Sequence, residues 1–207
     1  MVREDNVEDR RDLRVIKTRR NIKNAFIQLL RENDFNTITV QNILDRALIN
    51  RKTFYNHYQD KYDLAEQLIG EFFNECTSFF ELRTGHFDDM ENFLNHVDAV
   101  YKELYEQKDL ILALWNIHTD SIDFYGRMEH LFQMKYEEII QGGDIYVGDV
   151  KFQSHLFSTL ILSSLKYMLD SNKVYTAHDI WNEFDILYHT ITKVQIQSNF
   201  GTSINKK

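Results

Sequence analysis

Apolar residues in the segment NIKNAFIQLLREN recur at Ile22, Ala25, Phe26, Leu29 and Leu30. That i, i+3, i+4, i+7, i+8 spacing draws one continuous stripe along a helix and predicts a first helix over roughly 12–32. Asn33 is a natural stop, because Asn tolerates the left-handed conformation that often closes helices. In TVQNILDRA, Thr39 stands as an N-cap before Val40, Ile43, Leu44 and Ala47, which predicts a second helix of little more than two turns. Asn50 caps a third short helix over 51–58, and Asp60 a fourth, with Asp63 in the position of a capping-box acid. Helices this short do not persist alone in water, so they must pack on the first. Two short helices joined by a three-residue turn and braced by another form a helix-turn-helix unit.

On a wheel of 100° per residue, Phe54 and Tyr58 fall together on one side of the third helix and define its core face. Opposite or flanking them stand Lys52, Thr53, Tyr55, Asn56 and His57, and Arg51 in the first turn can swing outward. Guanidinium and ammonium groups suit guanine edges, an amide suits adenine, and hydroxyls suit phosphates, so this face has the chemistry to enter a DNA major groove. On an arbitrary helix the same residues would be an ordinary solvated face.

Charge shifts that balance. The chain has 207 residues and a net charge of −8, which taken alone argues against a nucleic-acid partner. Residues 10–61, however, carry twelve Lys/Arg against five Asp/Glu, whereas residues 62–207 carry eleven against twenty-three. A basic head of +7 on an acidic body of −12 suggests that one end meets a polyanion while the other does something else. No proline and only seven glycines point to few turns and long helices, hence an all-α fold. The single cysteine, Cys76, excludes an intrachain disulfide and fits a reducing compartment. The charged N-terminus does not read as a signal peptide, and the longest apolar run, 156–165, is too short to cross a bilayer, so a cytoplasmic protein without a membrane partner is expected.

Beyond the fourth helix, periodicity predicts helices near 88–106, 108–118, 120–141, 150–171 and 176–197, with the glycine-rich stretch 142–149 as a loop and a frayed tail from 198. Two domains are expected, a DNA-binding head at 10–60 and a helical body at 61–200. The helix over 150–171 is apolar nearly all round, which predicts burial on every side. Phe152, Leu156, Leu160 and Ser163 on it, with Ile180, Phe184, Leu187 and Ile191 on the last helix, suit a twofold contact between two chains. The alternative is the core of a monomer. Tyr101, Tyr105, Trp115, Phe124 and Met128 are candidates for a small-molecule pocket, or else plain core.

The segment ITVQNILDRALINRKTFYNHYQDKYDL resembles the N-terminal signature of the TetR family of bacterial transcription regulators over about residues 14–68. The matching positions are Ile38-Thr39-Val40, Ile43, Ala47, Ile49, Thr53-Phe54-Tyr55, His57-Tyr58, Lys61 and Leu64. Its INRKTFYNHYQDK wording resembles the branch that includes activators of dihydroxyacetone utilisation. The resemblance implies a homodimer on double-stranded DNA with a palindromic operator, and a small-molecule effector in the body. It places Thr39, Thr53, Tyr55, His57 and Lys61 at phosphates, and Gln41, Arg51, Lys52 and Asn56 near base edges, with Tyr55 suited to either. One position departs: the family usually has Gly in the turn where this chain has Leu48. Either the turn differs here or Leu48 gains by packing.

An enzyme is the rival from another class. No glycine-rich phosphate loop, nucleophile elbow or metal-ligand spacing is present in the sequence, and no cofactor or metal is implied. A second rival is an all-α protein-interaction module whose head no longer binds DNA.

Overall fold

The computed structural model describes residues 5–81, 90–141 and 148–202. Among these residues every regular element is helical: α1 (Asp5–Glu32), α2 (Val40–Ala47), α3 (Arg51–Tyr55), α4 (Lys61–Glu81), α5 (Met90–Glu106), α6 (Lys108–Trp115), α7 (Phe124–Gln141), α8 (Val150–Ser171) and α9 (Ala177–Thr202), with one 3-10 turn at Phe35–Thr37. The chain divides into two compact units, 1–84 with 107–159, and 85–106 with 160–207.

In the first unit the α1 stripe is fully inside: Ile22, Ala25, Phe26, Leu29 and Leu30 are buried, with Ile43, Leu44 and Ala47 of α2 and Leu64, Ala65, Leu68 and Ile69 of α4. The 3-10 turn, which apolar spacing did not announce, drops Phe35 into the same core, edge-on to Phe26 and to Tyr62. Thr39 caps α2 as expected, and Asn42 completes a capping box by accepting from the Thr39 N–H at 2.8 Å. Asn33 ends α1 without a positive φ: its N–H and its side-chain amide both donate to the Leu29 carbonyl, at 2.9 and 3.1 Å.

Several boundaries differ from the periodic reading: α1 starts at Asp5 rather than near 12 and α6 ends at Trp115 rather than 118. α3 stops at Tyr55, where the His57 N–H turns back to the Phe54 carbonyl (2.9 Å) and the chain enters the α4 cap. At that cap Asp60 accepts from the N–H groups of Tyr62 and Asp63, but the Asp63 carboxylate reaches Gln59 N–H (2.8 Å), one residue beyond the usual capping-box partner. α7 starts at Phe124 rather than near 120, because Thr119 first closes a turn on Ile122 N–H (2.9 Å) and Asp123 then accepts from Gly126 N–H (2.8 Å). α9 continues past 197 to Thr202. The expected loop at 142–149 lies outside the described residues except for its last two positions.

Along α7 and the start of α8 the packing is partly polar. Tyr136 Oη donates to Gln153 at 2.8 Å, Gln133 to Ser158 at 3.4 Å, and Glu129 meets His155 at 3.2 Å. Ser154 and Ser158 are buried there and also donate to their own helix carbonyls. In the second unit α5 meets α9, where the Asp98 carboxylate accepts from the Ala177 N–H. Thr176 and Asp179 cap each other at the start of α9, and the Thr176 N–H and hydroxyl hold the Asp179 carboxyl below the usual carboxylate range.

α8 corrects the expectation of burial on all sides. Ser154, Ser158, Leu162, Leu165, Met168 and Leu169 are buried, but Phe152, Leu156 and Leu160, spaced four apart, are about half exposed in the single chain. α9 is more open still: every residue from Trp181 to Ile191 is exposed.

The turn between α2 and α3 settles the question raised by Leu48. Its φ of 55° and ψ of 46° are left-handed, and the Ile49 N–H closes on the Leu44 carbonyl at 3.1 Å, the six-residue closure typical of a glycine-ended helix. The turn is thus the ordinary one, and Leu48 is 90% exposed, so neither escape applies. We expect Leu48→Gly to raise the unfolding free energy by about 1 kcal/mol in a urea titration. A destabilised variant would show that Leu48 has packing partners.

Candidate nucleic-acid interface

α3 owes its position to two rings. Phe54 and Tyr58 are buried with ring centroids 5.7 Å apart, and the Tyr55 ring meets Phe54 edge-on at 5.6 Å. Asn50 caps the helix by accepting from the Thr53 N–H (2.8 Å) and hydroxyl (3.0 Å). With that side fixed inward, Arg51, Lys52, Tyr55 and Asn56 are exposed, and Thr53 and His57 are half-buried. Thr39, the cap of α2, and Gln41 within it are exposed as well. Gln41 bridges the two helices: its Nε2 donates to Asp45 Oδ1 (2.8 Å), and its Oε1 accepts from Arg51 Nη2 (3.3 Å). Of the residues expected from the sequence at base edges, Gln41 and Arg51 are thus in contact, and Lys52 and Asn56 are exposed on or just after α3.

Lys61 behaves differently from the expected phosphate ligand. Its ammonium donates to the carbonyls of Phe35 (2.7 Å), Asn36 (3.2 Å) and Ile38 (2.8 Å) and lies 4.6 Å from the Phe35 ring centroid. Three N–H groups meet three acceptors, so its hydrogen-bonding capacity is engaged inside the head. Burial lowers its pKa from the usual lysine range, with Asp34 and Asp60 opposing that shift. Periodicity had no means of finding this, since a lysine at a helix start reads as surface.

Several head cations are likewise matched by acids. Arg46 makes a two-bond pair with Glu32 at 2.8 and 2.6 Å, which holds the Glu32 carboxyl below its usual range. Lys23 and Arg19 meet Glu71, and Arg31 meets Asp109 at 2.8 Å. Further along the unit Arg127 makes a two-bond pair with Glu66, both contacts at 2.9 Å.

The other candidate residues fall in two places. Trp115, Phe124 and Met128 belong to the first unit, where the Trp115 and Phe124 rings are 6.3 Å apart and Phe124 and Met128 are buried. Tyr101 and Tyr105 belong to the second. Tyr101 is buried with no hydrogen-bond partner on its hydroxyl among the described residues, and burial drives the pKa of that group far above the usual tyrosine range. Of the candidate dimer residues, Phe152, Leu156, Leu160, Ser163, Phe184, Leu187 and Ile191 are exposed in the single chain and Ile180 is half-buried. No helix among the described residues is long and apolar enough to cross a membrane.

The all-α architecture with a helix-turn-helix head is the fold of TetR transcriptional regulators. Among solved structures it is similar to a TetR transcriptional regulator from Streptococcus agalactiae 2603V, with a TM-score of 0.58 and 24% identity over 84% of this chain and 94% of that one. By sequence it is similar to the uncharacterized HTH-type transcriptional regulator YxbF of Bacillus subtilis (strain 168), 26% identical over 180 residues, which cover 84% of this chain and 45% of the relative. It is also 24% identical over 125 residues to the HTH-type dhaKLM operon transcriptional activator DhaS of Lactococcus lactis subsp. lactis (strain IL1403), covering 60% of this chain and 59% of that protein. The chain spans about half the length of the curated relatives it matches. No protein-family model matches it.

The Lys61 geometry carries a prediction. Lys61→Met, which keeps the aliphatic stem and removes the ammonium, should lower the unfolding free energy by about 1–2 kcal/mol, because three carbonyls lose a charged donor. Unchanged stability, measured by thermal melting, would return Lys61 to the set of simple surface cations.

Proposed function

We propose that this chain is a sequence-specific transcriptional regulator that binds double-stranded DNA as a homodimer, with the head at 10–60 reading a palindromic operator and the body at 61–200 serving dimerisation and control. The observation that carries this reading is the outward face of α3. Its rings are buried while Arg51, Lys52, Tyr55 and Asn56 remain exposed, and residues 10–61 carry a net charge of +7. A short helix with that face can lie in the major groove, with cationic and amide groups at base edges and Thr39, Thr53, Tyr55 and His57 near phosphates.

The homodimer reading is supported by α9 and by one side of α8. A helix with Phe184, Leu187, Tyr188 and Ile191 open to water has large apolar area to bury, and a second copy offers the same surface to a twofold contact. Two heads about one or more turns of duplex apart would each take a half-site. Effector control has its support in Tyr101, whose buried, unpartnered hydroxyl is a natural hydrogen-bonding point for a small molecule. Such a ligand acts only if it binds two arrangements of the dimer unequally.

Unbiased selection of bound duplexes by the purified protein tests the reading, and the selected sites should contain inverted repeats. Binding should weaken steeply with salt, with a log–log slope near −0.9 for each phosphate neutralised. Tyr55→Ala should weaken binding to all duplexes alike, whereas Lys52→Ala should change the selected bases; identical behaviour of the two would refute the division of roles. Phe184→Asp and Leu187→Asp should each give monomers in sedimentation and abolish binding to the two-half-site duplex, while a persistent dimer would place the interface elsewhere.

A further inference from the structure

The Gln41 amide is held between a carboxylate and a guanidinium. A carboxylate only accepts and a guanidinium only donates, so one orientation of the amide satisfies both neighbours: Nε2 toward Asp45 and Oε1 toward Arg51. Asp45 and Gln41 are one turn apart on α2, and Arg51 is the first residue of α3. All three side chains are exposed on the surface proposed to meet DNA.

This arrangement changes what each residue can read. A glutamine pairs with adenine through one N–H and its carbonyl oxygen together. Here Arg51 takes one lone pair of the carbonyl oxygen and Asp45 one of the two N–H groups, so the amide is held by both neighbours and has a single N–H and a single lone pair left for any base. Arg51 has given up one of five N–H groups and retains enough for the two-bond contact with O6 and N7 of guanine. A side chain already restrained by a neighbour also loses less rotamer freedom on docking.

We propose that Asp45, acting through Gln41, positions Arg51 to read a guanine, so that Gln41 and Arg51 serve one base pair rather than two. Asp45 is a positioning residue that need not touch DNA. Its own negative charge near phosphates opposes binding, so it raises selectivity at the expense of affinity. This inference rests on the proposed DNA-binding reading of α3.

The test is duplex selection by the full chain, with Arg51→Ala, Gln41→Ala, Asp45→Ala, Asp45→Asn and the Gln41→Ala/Asp45→Ala pair, each first checked for a wild-type helical melt. Arg51→Ala should erase the guanine preference at one half-site position, a loss of about tenfold or more. Asp45→Ala and Gln41→Ala should each relax that same position, and the pair should do no worse than either alone. Asp45→Asn retains an acceptor for Gln41 and should keep the preference. Both Asp45 variants should bind scrambled duplex at least as tightly as wild type, which simple damage to the head would not produce. If Asp45→Ala leaves the Arg51-dependent position untouched, if Gln41→Ala relaxes a different one, or if the two effects add, the coupling is refuted and the DNA-binding reading stands. If the wild-type chain selects no duplex, that reading itself fails, and this inference with it.

Discussion

A helix of five residues cannot hold its own shape, and α3 exists because the Phe54 and Tyr58 rings are inserted into a core assembled by α1, α2 and α4. That insertion fixes both the axis and the rotation of the helix. The polar side then has only one direction in which to face. Everything proposed for the surface follows from this seating, including which side chains can act together.

The seating is itself maintained by polar closures at the ends of short elements. Thr39 and Asn42 lock the start of α2, Asn50 locks α3, and the Lys61 ammonium gathers the carbonyls of Phe35, Asn36 and Ile38 in the connection before α2. These bonds lie on connections rather than in helix interiors, where main-chain groups would otherwise lack partners. The same economy limits the positive charge available for other partners. Arg19, Lys23, Arg31 and Arg46 each face a carboxylate, so the net charge of the segment overstates the cationic surface it presents.

Much of this was legible in the sequence because two signals, apolar period and capping chemistry, act over a few residues. The α1 stripe, the Thr39 and Asn50 caps and the inward Phe54–Tyr58 pair were all visible in that way. What escaped was governed by contacts distant along the chain. Lys61 reaches back more than twenty positions to its carbonyls, and no period encodes a flexible side chain's destination. For α8, a helix that is apolar all round leaves undecided which sides its own chain covers, and the structure leaves Phe152, Leu156 and Leu160 open. The five aromatic and methionine candidates for a pocket shared a composition but not a location, since they divide between two compact units. Leu48 was recognised as an exception to a glycine position, yet its backbone follows the glycine geometry without compensation from packing.

In the proposed homodimer, the bare apolar ridge of α9 would tie the physical state of the protein to its abundance. Any copy that covers Phe184, Leu187 and Ile191 withdraws them from water and adds a mass-action term to the folding equilibrium. A dilute chain would then be less robust than a concentrated one with the same covalent structure. Dosage would then set how many molecules are fit for work.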